Sequence, residues 1–169
     1  MNESTVLSHF HKKQLWMASH IDDAQFPTPE SQAGLAYYKE AESCPSVDTE
    51  TVSDSSDGFS FYVVDCHPLM VRYARTLAQK WPEDKQETMI EYLSQLSLTD
   101  IPTPDGINVT LFVSMEQGVP VATGMLFETQ EDEGVLKGIY DVHGTTDAAK
   151  HAMMAHLHSV VGDEKVVIE

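Results

Sequence analysis

The sequence predicts an α/β (α+β) fold: a mixed central sheet of about five strands with helices on both faces, preceded by a helical N-terminal extension. Three observations lead there. Aromatic and β-branched runs of strand length recur between residues 59 and 169. Between them lie stretches whose apolar residues return every three to four positions. Their order is strand, helix, helix, strand, strand, strand, helix, strand. Consecutive strands joined by short turns pair antiparallel, and two strands separated by a helix pair in parallel, so the sheet reads as an antiparallel meander closed by one parallel strand.

The elements follow in order. Residues about 5–20 and 29–43 read as two helices divided by the breaker PTP at 27–29. Their Leu7, Phe10, Leu15, Trp16, Leu35 and Tyr38 are too few for a core of their own, so residues 1–44 are expected to pack on the body as an extension. Residues 45–58, PSVDTETVSDSSDG, lack apolar periodicity and read as an acidic linker. The body spans 59–169. FSFYVV (59–64) is a strand, and 67–81 is a helix striped by Leu69, Tyr73 and Leu77. Pro82 restarts a helix with Glu83 and Asp84 in its first turn, where the dipole favours acids, and Met89, Ile90, Leu93 and Leu96 form its apolar face. NVTLFVSM and VPVATGMLFE are two strands of a hairpin turning through Glu116-Gln117-Gly118. VLKGIYDV is the next strand. Residues 147–161 form a helix with Met153, Met154, Leu157, Val160 and Val161 on one face and His151 and His158 on the other, and KVVI closes as a strand.

Bulk properties narrow the partners. With 27 acidic against 10 basic residues the formal net charge is −17, which repels nucleic-acid phosphates and anionic membranes, so neither is an expected partner. Hydrophobic residues make up 41%, enough for a packed core. Cys44 and Cys66 fit neither a zinc motif nor a disulfide framework and read as free thiols in a reducing compartment. No apolar run approaches the roughly 18 residues of a spanning helix, and MNESTVLSHFHKKQLW has no apolar signal core, so a cytoplasmic location is expected. No P-loop, dinucleotide fingerprint or Ser-His-Asp order is present.

The chemistry-bearing stretch is GIYDVHGTTDAAKHAMMAHL, residues 138–157, a strand turning into a helix N-terminus. Backbone amides and the helix dipole can hold a phosphate at such a turn. Gly144 is its one glycine, and Lys150 is the only Lys or Arg between Gly138 and Gly162. Four histidines fall between 143 and 158, but their helical spacing brings no set together, so no metal site is expected. His143, at the strand end, suits a base near neutral pH. Asp141 could also serve as a base, and strand alternation places Ile139 and Asp141 on one face with Tyr140 and Val142 on the other. The acidic turn 131–133 reads as a solvated face, or as a clamp for a cationic amine.

The element order, with LFVSMEQGVPVATGMLF, GIYDV and the helix after it, resembles the first part of the GCN5-related N-acetyltransferase (GNAT) family, strand 1 to strand 5, over about residues 59–169. GVPVATGMLF is similar to the family's second hairpin strand. GIYDV is similar to its central strand, whose end bonds the pantetheine arm of coenzyme A through backbone groups. The resemblance implies an N-acyltransferase moving an acetyl group from acetyl-CoA to a small amine. His143 and Asp141 are then the candidate catalytic residues, and Tyr140, Val142, Gly144, Thr145, Ala148, Ala149 and Lys150 the candidate coenzyme contacts. The sequence departs from the family where DAAKHAMM replaces the glycine-rich pyrophosphate loop, and KVVI is not followed by the family's further helix, with its general-acid tyrosine, and strands. Two functions therefore stand open: the acyltransferase, and a catalytically inactive interaction or regulatory protein on the same scaffold. An exposed sheet edge would also offer a surface for a homodimer.

Overall fold

The computed structural model describes residues 3–22, 28–41, 45–48, 58–98, 105–131, 134–162 and 166–168. They form α1 (Glu3–Asp22), α2 (Pro29–Glu40), β1 (Ser46–Asp48), β2 (Ser60–Val63), α3 (His67–Ala78), α4 (Glu83–Leu98), β3 (Ile107–Glu116), β4 (Val119–Glu131), β5 (Gly134–Gly144), α5 (Asp147–Val161) and β6 (Val166–Ile168). The sheet runs β1-β6-β5-β4-β3-β2. All neighbours are antiparallel except β5 and β6, which α5 joins in parallel. The α/β architecture expected from the sequence is present, with six strands rather than about five. The extra one, β1, comes from the stretch read as linker. Three residues without apolar alternation carry no strand signal, and β1 is defined by its antiparallel pairing with β6.

The meander follows from its turns. Gln117 and Gly118 both have positive φ, at 52° and 80°, as a two-residue type I′ hairpin loop requires. Alternation along β4 then sends Met125 and Phe127 to one face and Leu126 to the other. The first face is covered by α1–α4, and its core includes Phe10, Met17, Tyr38, Tyr73, Leu77, Met89, Tyr92 and Leu93. The second is covered by α5 through Ala149, Met153, Leu157 and Val161, against Phe112, Leu126, Ile139 and Val166. The helical extension thus belongs to the main core.

Helix α5 begins and ends where its sequence pattern places it, but its buried face is wider than one stripe. Val160 is exposed, while His158 is buried on the side expected to face solvent. His156 stacks flat on Phe61 with ring centroids 4.1 Å apart. Small residues explain the breadth, since Ala149, Ala152 and Ala155 let the helix settle into the sheet on several sides. Leu157 is fully buried and its Cδ1 occupies the space above Gly124, where a side chain would collide with it. Leu157→Ala should therefore destabilise the fold by about 2–5 kcal/mol in urea denaturation. A loss under about 0.5 kcal/mol would mean that α5 packs otherwise.

Candidate functional site

The site is built around an irregularity in β5. Between the pairs Thr123↔His143 and Met125↔Tyr140, the single residue Gly124 faces both Asp141 and Val142. This is a β-bulge, with Asp141 in the left-handed region at φ 55°. Aspartate tolerates that conformation better than most residues. The Thr123 hydroxyl donates to the Asp141 carbonyl at 2.9 Å and holds the extra residue in place. The bulge resets the alternation, which corrects the facing expected from the sequence. Ile139 and Val142 belong to the α5 side. Tyr140 and Asp141 stand together on the side of α1–α4.

That face meets them with polar groups. The Tyr38 hydroxyl contacts both Asp141 carboxylate oxygens, at 3.0 and 2.9 Å. The Tyr73 hydroxyl is also buried, without a hydrogen-bond partner among the described residues. Its pKa is raised well above the usual value, first by burial and then by the Asp141 charge. Lys13 is fully buried, its Nζ 4.7, 5.1 and 5.2 Å from the ring centres of Tyr38, Tyr140 and Phe10. The cation–π attraction of three rings offsets part of the desolvation of the ammonium. Tyr38 links the two charges, its ring under Lys13 and its hydroxyl on Asp141. Beside them, His9 Nε2 donates to the Phe127 carbonyl at 3.1 Å, so Nδ1 accepts from the Tyr140 hydroxyl at 2.6 Å. Gly138 makes room, because a side chain there would overlap the His9 ring. Burial lowers the His9 pKa to about 4 and holds it neutral.

Sequence reasoning missed His9, Lys13 and Tyr73 as members of a site. A signal existed, since Val6, Phe10, Lys13, Met17 and Ile21 share one helical stripe and Lys13 occupies a core position in it.

The strand end is more open. His143 is partly buried, and its pKa is lowered by burial, then by the charges of Lys80 and Lys150, so it is an uncharged base at neutral pH. Resumed alternation turns it toward α3. Gly144 packs against the Lys150 backbone, where a Cβ would overlap the main chain, so this glycine serves strand–helix packing. The Thr145 amide donates to the Val121 carbonyl at 2.8 Å. Thr146 caps α5, its hydroxyl accepting from the Ala149 amide at 3.1 Å. Among the other expected coenzyme contacts, Ala148 and Lys150 are exposed, Ala149 is buried, Val142 is partly buried, and Tyr140 is buried on the far side of the bulge. Asp141 and His143 lie on the same side of β5, but Asp141 is closed in by Tyr38.

In the acidic turn, Glu131 is bonded by Lys12 at 2.9 Å and by Thr129 at 2.8 Å, which leaves it a poor clamp for a cationic amine; positions 132 and 133 lie outside the described residues. The described residues bring together no group of three or more His, Cys, Asp or Glu that could hold a metal ion. No described helix is long and apolar enough to cross a membrane. No model of a known protein family matches this chain, and no curated protein matches it significantly.

Two outcomes follow. Tyr38→Phe leaves the Asp141 carboxylate buried without its hydroxyl donor and should cost about 1–3 kcal/mol in chemical denaturation; an unchanged midpoint would show that water replaces the bond freely. His9 and His20 are both depressed to about 4 by burial, against 6.5 when unperturbed. Between those values the unfolded chain binds more protons than the folded one. Stability from these two groups is therefore fully present above about pH 6.5 and is lost as pH falls toward 4, by up to about 3 kcal/mol for each. Urea midpoints at pH 7 and pH 5 should differ less for His9→Gln than for the parent, and equal differences would exclude His9 as a source.

Proposed function

We propose that this chain is a GNAT-like N-acyltransferase that takes acetyl-CoA along the end of β5 and passes the acetyl group to a small amine. The observation that carries the reading is the bulge at Asp141–Val142, together with the short reach of β6. Among the described residues β6 accompanies β5 only as far as Ile139, so the edge from Tyr140 to Gly144 is left with backbone groups for a ligand. An extended amide-bearing arm can pair with such an edge as a strand would.

The surroundings suit an anionic thioester better than net charge suggests. Lys80 and Lys150 both act on His143, and the N-terminus of α5 adds its dipole. In the reaction the amine nitrogen forms a bond to the thioester carbonyl carbon while His143 takes the amine proton. The carbon–sulfur bond then breaks, and the departing thiolate takes up that proton, giving the amide and free coenzyme A. Asp141, held by Tyr38, acts as a positioning residue for the strand end rather than as the base.

A second reading, a catalytically inactive interaction or regulatory protein, is favoured by one observation: the Thr146 hydroxyl occupies the Ala149 amide, one of the first-turn donors a pyrophosphate would use. Calorimetry separates the two. Acetyl-CoA should bind weakly, with a Kd in the high micromolar range, about −5 kcal/mol. Asp147→Asn, which removes an exposed charge beside the cap, should tighten binding by about two- to fivefold. His143→Gln should bind the thioester normally but lose roughly 10²–10⁴ in turnover. Absence of any heat with acetyl-CoA at millimolar concentration, for the parent and Asp147→Asn alike, would overturn the acyltransferase and leave the inactive scaffold.

A further inference from the structure

The chain has two arginines in all, Arg72 and Arg75, and both line one groove of about 600 Å³ between α3 and the start of β4. They sit three positions apart on an exposed helical face, close enough for both guanidinium groups to address one ligand. Gln79 continues the polar line, and Val71, Val119 and Pro120 give the groove apolar walls. Residues 66–82 contain no acidic residue in a chain that carries 27. Among the described residues neither arginine forms an ion pair. Two neighbouring guanidinium groups with no acid partner among the described residues are a local concentration of positive charge in a chain of net charge −17, although Asp65 precedes the helix and Glu116 pairs with Val119 at the rim.

The groove also has a defined place relative to His143. Its Pro120 lies three residues before Thr123, the partner of His143 across β4 and β5, so roughly 10 Å separates them along the strand. Both His143 and α3 are on the same side of the sheet. One small extended molecule can cover that span. Guanidinium forks match carboxylates in planar, two-point contact, and two forks one helical turn apart suit two carboxylates on a short spacer.

We propose that this groove binds a small dicarboxylate, held by Arg72 and Arg75 with its carbon chain against Val71, Val119 and Pro120. Its role as the acyl acceptor, with an amine directed at His143, rests on the acyltransferase reading; the binding itself does not. The expected acceptor is thus an acidic amine, in contrast to the cationic amine that an acidic clamp would select.

The test is calorimetry on the full chain at low salt with glutarate and succinate, and putrescine as a cationic control. Glutarate should bind saturably and putrescine should not. Arg72→Gln and Arg75→Gln should each weaken glutarate at least about tenfold, and high salt should weaken the parent. Both side chains are exposed, so the variants should unfold at the parent's temperature and bind acetyl-CoA as the parent does. The proposal is overturned if glutarate fails to bind, if both variants bind it unchanged, or if inorganic phosphate or acetyl-CoA displaces it at equal concentration. Arginine-dependent glutarate binding in a protein that does not bind acetyl-CoA supports the groove and removes only the acyltransferase reading.

Discussion

The bulge in β5 is the constraint on which the rest of the architecture depends. A non-glycine residue with φ 55° stays in place only where its surroundings determine it, and at Asp141 three contacts do so. The Thr123 hydroxyl fixes the carbonyl, Tyr38 fixes the carboxylate, and pairing on either side of Gly124 fixes the register. One inserted residue places Tyr140 and Asp141 side by side on the helical face. That face must then supply partners for a hydroxyl and a carboxylate under a sheet. His9 meets the first and Tyr38 the second, which explains why two helices that could not fold alone carry polar residues at core positions.

The same displacement separates a closed chemistry from an open one. Asp141 is 8% exposed and occupied by Tyr38, so its charge organises the interior. His143, two residues on, remains partly accessible and is kept neutral by burial and by two lysines. A carboxylate that fixes the strand and an imidazole that can exchange a proton are distinct tasks. The bulge assigns them to neighbouring positions without letting the acid raise the basicity of the histidine through a direct bond.

Much of the fold was legible in the sequence because its strongest signals are periodic. The strands of the meander, the helices after them and the span of α5 follow from two spacings, 2 and 3.6. What periodicity could not show was any place where the period is broken or shared. The bulge has no glycine to mark it, only an aspartate whose tolerance of positive φ is a weak cue, so the facing of Tyr140 and Asp141 came out wrong. β1 is three residues long and exists through β6. His158 is buried because alanines bring α5 close, a property of the packed pair rather than of one helix. Within the candidate site, His143 and the turn are marked in the sequence by their position at a strand end, whereas Lys80 reaches His143 from the turn after α3, 63 positions earlier in the chain. Arg72 and Arg75 carried a readable signal, two arginines on an acid-free helix, which a count of net charge obscures.

Net charge is a poor guide here because screening is short-ranged. At physiological ionic strength the Debye length is about 8 Å, so a ligand at the β5 end responds chiefly to the charges beside it. Those charges are Lys80, in the turn after α3, and Lys150 on α5. The turn itself contributes less than its strand-to-helix layout suggests, since Gly144 is used for packing, the Thr145 amide is spent on Val121, and Thr146 closes the Ala149 amide. Recognition of an anion at the β5 end would therefore depend on Lys80 and Lys150 more than on a backbone cradle, while the arginines serve the neighbouring groove. Side chains can be positioned by a helix whose other face is core, and α3 is such a helix: Tyr73 and Leu77 are buried against the sheet while Arg72 and Arg75 stand outside. The packing that orders Tyr73 beneath Asp141 is thus the packing that presents the arginines, which ties the polarity of the open end to the bulge beneath it.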